Sequence, residues 1–237
     1  MIQPMKRNLL SALLFCLSFS LSAQYGNGRY TFVFLNTNPN KAEISKTAID
    51  SLQNGHMNNI NRLVKERKMI AAGPFYTGGG IFIFDTNFEE TQAILNSDPA
   101  IAANRYILEV FSADVIPHDE SGRALCTLWD KNEADVEMAT NYYFVRYMPN
   151  KEDENIDAVK TNRFTEELMR SISRKHGPGT IVGALNLNTN EGQLVIYKSD
   201  HEGGMETEFA DHALVKSGLI TYYHKQIYFP KGVFCEK

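Results

Sequence analysis

The chain has 237 residues, is 43% hydrophobic and carries 24 basic against 28 acidic side chains. That is apolar material for one large domain or two of about 100 residues, and it is too weakly charged, with no block of like charges, to recruit nucleic acid. Three cysteines exclude a disulfide-dense scaffold.

Residues 1–23 read as a segment removed before folding. Lys6 and Arg7 precede an apolar run from Leu9, and Ser22 and Ala23 supply small residues ahead of Gln24. This is the order of a bacterial-type secretory signal with cleavage near Ala23. The run is short and broken by serines, which argues against a stable membrane anchor. Cys16 lies inside it rather than after the small residues, which argues against a lipid-anchored form. A periplasmic or secreted protein is therefore expected. Residues 24–237 keep 22 basic and 28 acidic side chains, a formal charge of −6, and two cysteines, Cys126 and Cys235. A bridge between those two and a pair of separate thiols are both open.

From Tyr30 the pattern alternates between strand and helix. YTFVFLN (30–36) reads as a strand, 42–68 as a long helix, MIAAG (69–73) and GIFIFDT (80–86) as strands, 88–96 as a short helix and RYILEVFSADV (105–115) as a strand. The strands rest on β-branched and aromatic runs bounded by Gly, Pro, Asn and Asp, the helices on a 3.6-residue period. The same order returns as 141–148, a helix over 156–175, 179–187, 192–200, a helix over 206–216, and 219–229. Gly73 corresponds to Gly183, and "DPAIAANRYILEV" to "DHALVKSGLITYY". Between the two passes lies a polar, acidic stretch, 118–140, whose Leu125, Leu128 and Trp129 can pack against a domain.

Two passes of six elements indicate an internal repeat, with domains at 24–117 and 141–237 joined by the 118–140 linker. The order βαββαβ is the ferredoxin-like split motif, in the α+β class, with both helices on one face of a four-stranded sheet. Its other face needs cover. Two such sheets packed face to face as an intramolecular pseudo-dimer supply it, with further homo-oligomer formation left open.

On the first helix Ile49, Leu52, His56, Ile60 and Leu63 recur at helical spacing, so the His56 imidazole faces the sheet. Gly55 beside it costs about 1 kcal/mol of helix stability relative to alanine, which suits a close approach by another element. A helical histidine, "AAGPF" seventeen residues on, the hairpin "YTGGGIFIFD" and "SDPAIAAN" before the last strand together resemble the YCII-related (YciI-like) family. The resemblance spans 30–115 closely and 141–229 loosely. It implies a ferredoxin-like fold of the dimeric α+β barrel superfamily and a site pairing His56 with Asp98. It also implies cofactor-independent acid-base elimination or isomerisation of small, often cyclic, compounds.

The residues themselves are compatible with that chemistry. Asp98 precedes Pro99, which turns the chain away from helix. A carboxylate there can accept from one ring nitrogen of His56 and leave the other as a base near neutral pH. Gly73, Pro74 and Gly79 offer backbone groups, and Tyr76 a hydroxyl, for a substrate carbonyl or carboxylate. The same pair is equally that of a core histidine satisfied by one acid. GPFYTGGG lacks the Lys-Ser/Thr ending of a phosphate loop and leads into a strand. Two ligands are too few for zinc, so no metal and no cofactor are expected.

In the second half Glu166 or Thr165 falls at the histidine position and His212 at the aspartate position. The dyad is there either lost or exchanged as Glu166 and His212. A lyase or isomerase, and a binding protein or structural pseudo-dimer with a vestigial site, are the alternatives for function.

Overall fold

The computed structural model describes residues 30–116, 125–150, 158–177, 179–187, 191–199 and 205–235. Residues 1–23, expected to be a signal segment, and residues 118–124 of the expected linker lie outside them. The first half runs β1 (Tyr30–Thr37), α1 (Lys46–Lys65), β2 (Met69–Pro74), β3 (Gly80–Phe84), α2 (Phe88–Leu95), α3 (Pro99–Ala102) and β4 (Tyr106–Val115). The second runs β5 (Met138–Pro149), α4 (Ala158–His176), β6 (Ile181–Leu187), β7 (Gln193–Lys198), α5 (Glu206–Phe209), α6 (Ala213–Lys216) and β8 (Ile220–Pro230).

Helix ends depart from the periodicity for local reasons. The α1 helix begins at Lys46 rather than near residue 42, because the Ser45 hydroxyl caps it by accepting from the Ala48 N–H at 3.2 Å. The α2 helix ends at Leu95, and Asp98 caps the start of α3, with Pro99 in the first turn, where its missing N–H costs nothing. The helix expected over 206–216 is two short pieces, α5 and α6, separated by a turn at 210–212.

All eight strands join one antiparallel sheet in the order β2-β3-β1-β4-β6-β7-β5-β8. The order β2-β3-β1-β4 of the first half thus recurs as β6-β7-β5-β8. The halves join where β4 pairs with β6 over Ala113–Leu187, Asp114–Asn186 and Val115–Leu185. The sheet's outer strands also meet. Phe75 bridges Ile227, and the Tyr76 N–H donates to the Gln226 carbonyl at 3.2 Å. The sheet therefore curls round on itself as a barrel, which removes exposed edges.

Strand alternation sorts the side chains into layers. Val33 and Leu35 of β1 point outward into a core with Leu63 of α1, Phe82, Phe84 and Leu95. Phe32 and Phe34 point inward, meeting Phe111, Phe144, Ile196 and Phe229 from both halves. Tyr147 and Val195 repeat the outward role beneath α4, with Phe164 and Leu168. One stretch of the interior is aromatic, with the Tyr142, Phe229 and Phe234 rings 5.8 to 6.2 Å apart. Further along β5 the interior turns polar at Arg146, which is 4% exposed.

Residues 125–129 and the chain after β8 are tied to each other and to the barrel. Cys126 and Cys235 form a disulfide with Cα atoms 5.1 Å apart, and the Cys126 N–H donates to the Val233 carbonyl at 2.7 Å. Leu125 joins the barrel core, Leu128 and Trp129 pack against it, and the Trp129 indole N–H donates to the Met69 carbonyl at 2.7 Å. No helix among the described residues is long and apolar enough to cross a membrane.

Candidate functional site

Helical spacing puts His56, Asn59 and Leu63 on the buried face of α1. The close approach that Gly55 permits is that of α3: a Cβ on Gly55 would stand 2.9 Å from the Pro99 ring. That contact brings Asp98, the residue capping α3, under the helix. His56 Nδ1 and Asp98 Oδ2 are 2.8 Å apart, with the residues 9% and 1% exposed.

Asp98 is fully engaged. Its Oδ2 also accepts from the Asn59 amide at 3.3 Å, and its Oδ1 accepts from the N–H groups of Ala100 at 2.9 Å and Ile101 at 3.2 Å. Asn59 is itself held, its Oδ1 accepting from Arg62 at 2.8 Å and Ser97 at 3.1 Å. Burial is the largest influence on the Asp98 carboxyl and opposes its ionisation. The His56 hydrogen bond and charge, with the Ile101 and Asn59 donors, outweigh it and hold the carboxyl below its ordinary value. An ionised, acceptor-only carboxylate requires Nδ1 to carry the proton, so in neutral His56 Nε2 is the lone-pair nitrogen. Nε2 has no protein hydrogen-bond partner among the described residues.

The imidazole lies between two aromatic rings, 5.5 Å from Phe82 and 6.1 Å from Tyr106. Tyr106 also lines a partly open cleft of about 180 Å³, with Thr37, Lys41, Ile49, Leu52, Gln53, Gly79, Ala100 and Arg105. Leu52 and Gln53 lie about one helical turn before His56, which is not itself among the lining residues. Burial first, then the Asp98 charge, raise the Tyr106 phenol, which is therefore a neutral donor. The volume falls below the roughly 300–1,000 Å³ of drug-sized pockets, which limits any occupant to a small molecule.

Of the residues expected to contact a substrate, Gly79 lines the cleft. Gly73, Pro74 and Tyr76 are not among the lining residues. The Gly73 backbone is used in the β2–β3 ladder opposite Ile81, and a Cβ on it would collide with the Tyr228 carbonyl oxygen. Closure of the barrel thus accounts for a glycine there. Pro74 pairs with Gly80 at the end of the same ladder. Tyr76 is 57% exposed, with its N–H committed to β8. Asn59, Tyr106, Lys41 and Arg105 were not anticipated. Asn59 alone carried a signal, sitting at i+3 from His56 on the same face.

The second half is built differently at the equivalent place. Thr165, Leu168 and Ile172 repeat the buried spacing of His56, Asn59 and Leu63, so Thr165 occupies the histidine position. His212 caps α6 as Asp98 caps α3, its Nδ1 accepting from the Leu214 N–H at 3.2 Å. Glu166 is exposed and engages Arg170 at 3.3 Å. The His212 ring instead packs edge-on against Phe164, with centroids 4.6 Å apart, and burial lowers its pKa. Among the described residues no group of three or more His, Cys, Asp or Glu side chains is placed to hold a metal ion.

No family model matches the chain, and no curated protein matches it in sequence. Solved structures do resemble it. A point mutant of chlorite dismutase from Candidatus Nitrospira defluvii superposes with a TM-score of 0.52 at 8% identity, over 87% of this chain and 92% of its own. A provisionally assigned chlorite dismutase superposes with a TM-score of 0.51 at 15% identity, over 84% of this chain and 94% of its own. At such identities the likeness concerns the fold alone. These neighbours are dimeric α+β barrel proteins, and the chain shares their fold.

Proposed function

We propose that the chain is an exported, tandem YciI-like protein whose first repeat binds a small carbonyl-bearing or cyclic molecule beside His56 and carries out acid-base elimination or isomerisation on it. In this reading 24–117 and 141–237 are two ferredoxin-like repeats joined by 118–140 and paired as an intramolecular pseudo-dimer. The recurring strand order supports the repeat, and the Cys126–Cys235 disulfide favours an oxidising compartment. The observation that carries the chemistry is the His56 ring, held through Nδ1 by an ionised Asp98 and packed on Tyr106, a wall of the cleft.

The steps follow from those positions. Nε2 takes a proton from the carbon next to the substrate carbonyl, and the electron pair moves onto the carbonyl oxygen. Asp98 stabilises the imidazolium that results, and the Tyr106 hydroxyl donates to the developing oxyanion. Return of the proton to a different carbon completes an isomerisation. Collapse of the enolate with loss of a β-substituent completes an elimination.

A second reading, binding without catalysis, is favoured by one observation: His56 is 9% exposed and is not itself among the cleft-lining residues. Exchange in heavy water separates the two. Small cyclic ketones incubated with the protein are expected to exchange the proton next to the carbonyl. His56→Gln should slow that exchange by about a hundredfold or more, the scale of a positioned base. Ligands that shift the Tyr106 and Gln53 NMR signals but never exchange would leave the binding reading in place of the catalytic one.

A further inference from the structure

The polar side of the cleft is cationic. Lys41 and Arg105 both line it, no carboxylate does, and neither meets an acidic side chain within ion-pair distance among the described residues. Elsewhere cations are often matched: Arg62, Arg146, Arg163 and Lys175 each have a carboxylate partner at 2.5 to 2.9 Å. Lys41 and Arg105 thus bring to the cleft a positive charge that no carboxylate of its lining balances.

The cationic lip is also held in place. One Arg105 Nη donates to the Ala42 carbonyl at 2.6 Å, which fixes the guanidinium against the loop that carries Lys41. That loop is latched to the start of β4. The Asn38 N–H donates to the Arg105 carbonyl at 3.0 Å and the Asn38 amide to the Asn104 carbonyl at 3.0 Å. Within the loop the Lys41 N–H returns to the Asn38 carbonyl at 3.3 Å. A guanidinium fixed by one nitrogen keeps its other donors for a ligand and has less freedom left to lose on binding. The lining also has an apolar part, Ile49, which is 46% exposed, with Leu52 and Ala100. Two cations, a short hydrocarbon surface and a phenol in one lining suit an amphipathic occupant.

We propose that the cleft takes a small organic acid, its carboxylate held between Lys41 and Arg105 and its hydrocarbon body lying along Leu52 toward Tyr106. This rests on the reading of the cleft as the ligand site and adds the charge and polarity of the ligand. The anchor is separate from the proton-moving pair, so the carboxylate fixes which carbon is presented to His56.

The test uses the whole exported chain and two matched series: acetate, hexanoate and benzoate, against acetamide, hexanamide and benzamide. Titrations are followed by the NMR signals of Gln53, Tyr106 and His56. At least one acid is expected to saturate those signals and to bind about tenfold or more tightly than its amide, the worth of one charge-assisted contact. Lys41→Met should weaken that acid by about tenfold and leave its amide unchanged. Arg105→Met should do the same, but it also removes the Ala42 contact, so Lys41→Met is the decisive variant. Amides that bind as well as the acids would overturn the carboxylate anchor and leave the cleft as a ligand site. Acid affinity untouched by Lys41→Met would also overturn the anchor. Silence of both series would overturn the anchor and the ligand site together.

Discussion

Asp98 decides which ring nitrogen of His56 carries the proton. Its Oδ2 accepts at 2.8 Å from Nδ1 while both oxygens are saturated by other donors, so the carboxylate is positioned by the fold before any ligand arrives. In Asp98→Asn the introduced oxygen can still accept from Ala100 and Ile101, which leaves the amide NH₂ facing Nδ1. Nδ1 then becomes an acceptor and the proton moves to Nε2, which can no longer act as a base. The expected outcome is retained ligand binding with heavy-water exchange reduced about a hundredfold or more, and a nitrogen NMR spectrum showing the inverted tautomer. Full exchange activity in this variant would remove His56 from the chemistry. The same substitution has a stability signature. The folded-state Asp98 pKa is depressed below its ordinary value of 3.8, so its contribution is present above that value and is lost as pH falls through the folded one. Wild type should therefore lose stability on acidification more steeply than Asp98→Asn. His56 was legible as a residue because it breaks an apolar stripe, whereas Asp98 was pointed to by the resemblance to the YciI-like family, with which its place before a proline is compatible. Tyr106 and Arg105 were not, because a residue at the start of a strand gains its meaning only from what the β1–α1 loop brings opposite it.

Elements here are placed by absent side chains as much as by present ones. Gly55 lets Pro99 approach α1, and Gly73 lets β2 lie against β8, where a Cβ would also come within 2.8 Å of the Phe229 ring. The two glycines answer different needs: one sets the depth of Asp98, the other closes the barrel. In Gly73→Ala the methyl group meets a backbone carbonyl that cannot rotate away, so β2 and β8 must separate. The expected loss is about 1–3 kcal/mol, the range for overpacking a tight contact, read as a lower denaturant midpoint with an unchanged slope. An unchanged midpoint would show that the seam tolerates separation and does not require glycine. Strand positions were readable from alternation, and each expected strand overlaps an observed one. The seam was not readable, since Phe75–Ile227 is one bridge formed by residues 152 positions apart and leaves no periodic trace. Helix ends were displaced for a comparable reason: the Ser45 cap is a single side-chain contact inside a stretch whose polarity pattern is otherwise continuous.

At the scale of the whole molecule the halves are held by an apolar interior and by a polar clasp that the two halves do not share equally. Arg146 of β5 donates to Glu109 of β4 at 2.9 Å and to Glu191 at 2.5 Å, with its guanidinium 4.3 Å over the Phe111 ring. Lys225 of β8 donates to the Asn36 amide oxygen of β1 at 2.9 Å, and the Asn36 NH₂ donates to Glu109 at 2.6 Å. In the sheet Phe34 pairs with Glu109 and Ile81, as Arg146 pairs with Tyr223 and Leu194. Phe34 is therefore the first half's counterpart of Arg146, a relation hidden in the sequence because the two side chains share neither charge nor shape. Residues 24–115 expressed alone would expose Phe32, Phe34 and Phe111, and the simplest cover is a second copy. That copy would offer a phenyl ring where Glu109 meets a guanidinium, leaving the carboxylate without its partner. The fragment is thus expected to form a homodimer or to aggregate, and any homodimer to be weaker than its pairing with the other half. Adding 125–237 should draw it into a one-to-one complex, followed by sedimentation. A fragment that stays a stable, soluble monomer would contradict the proposed intramolecular pairing. A homodimer that persists in excess of the second half would show that the clasp does not select between partners.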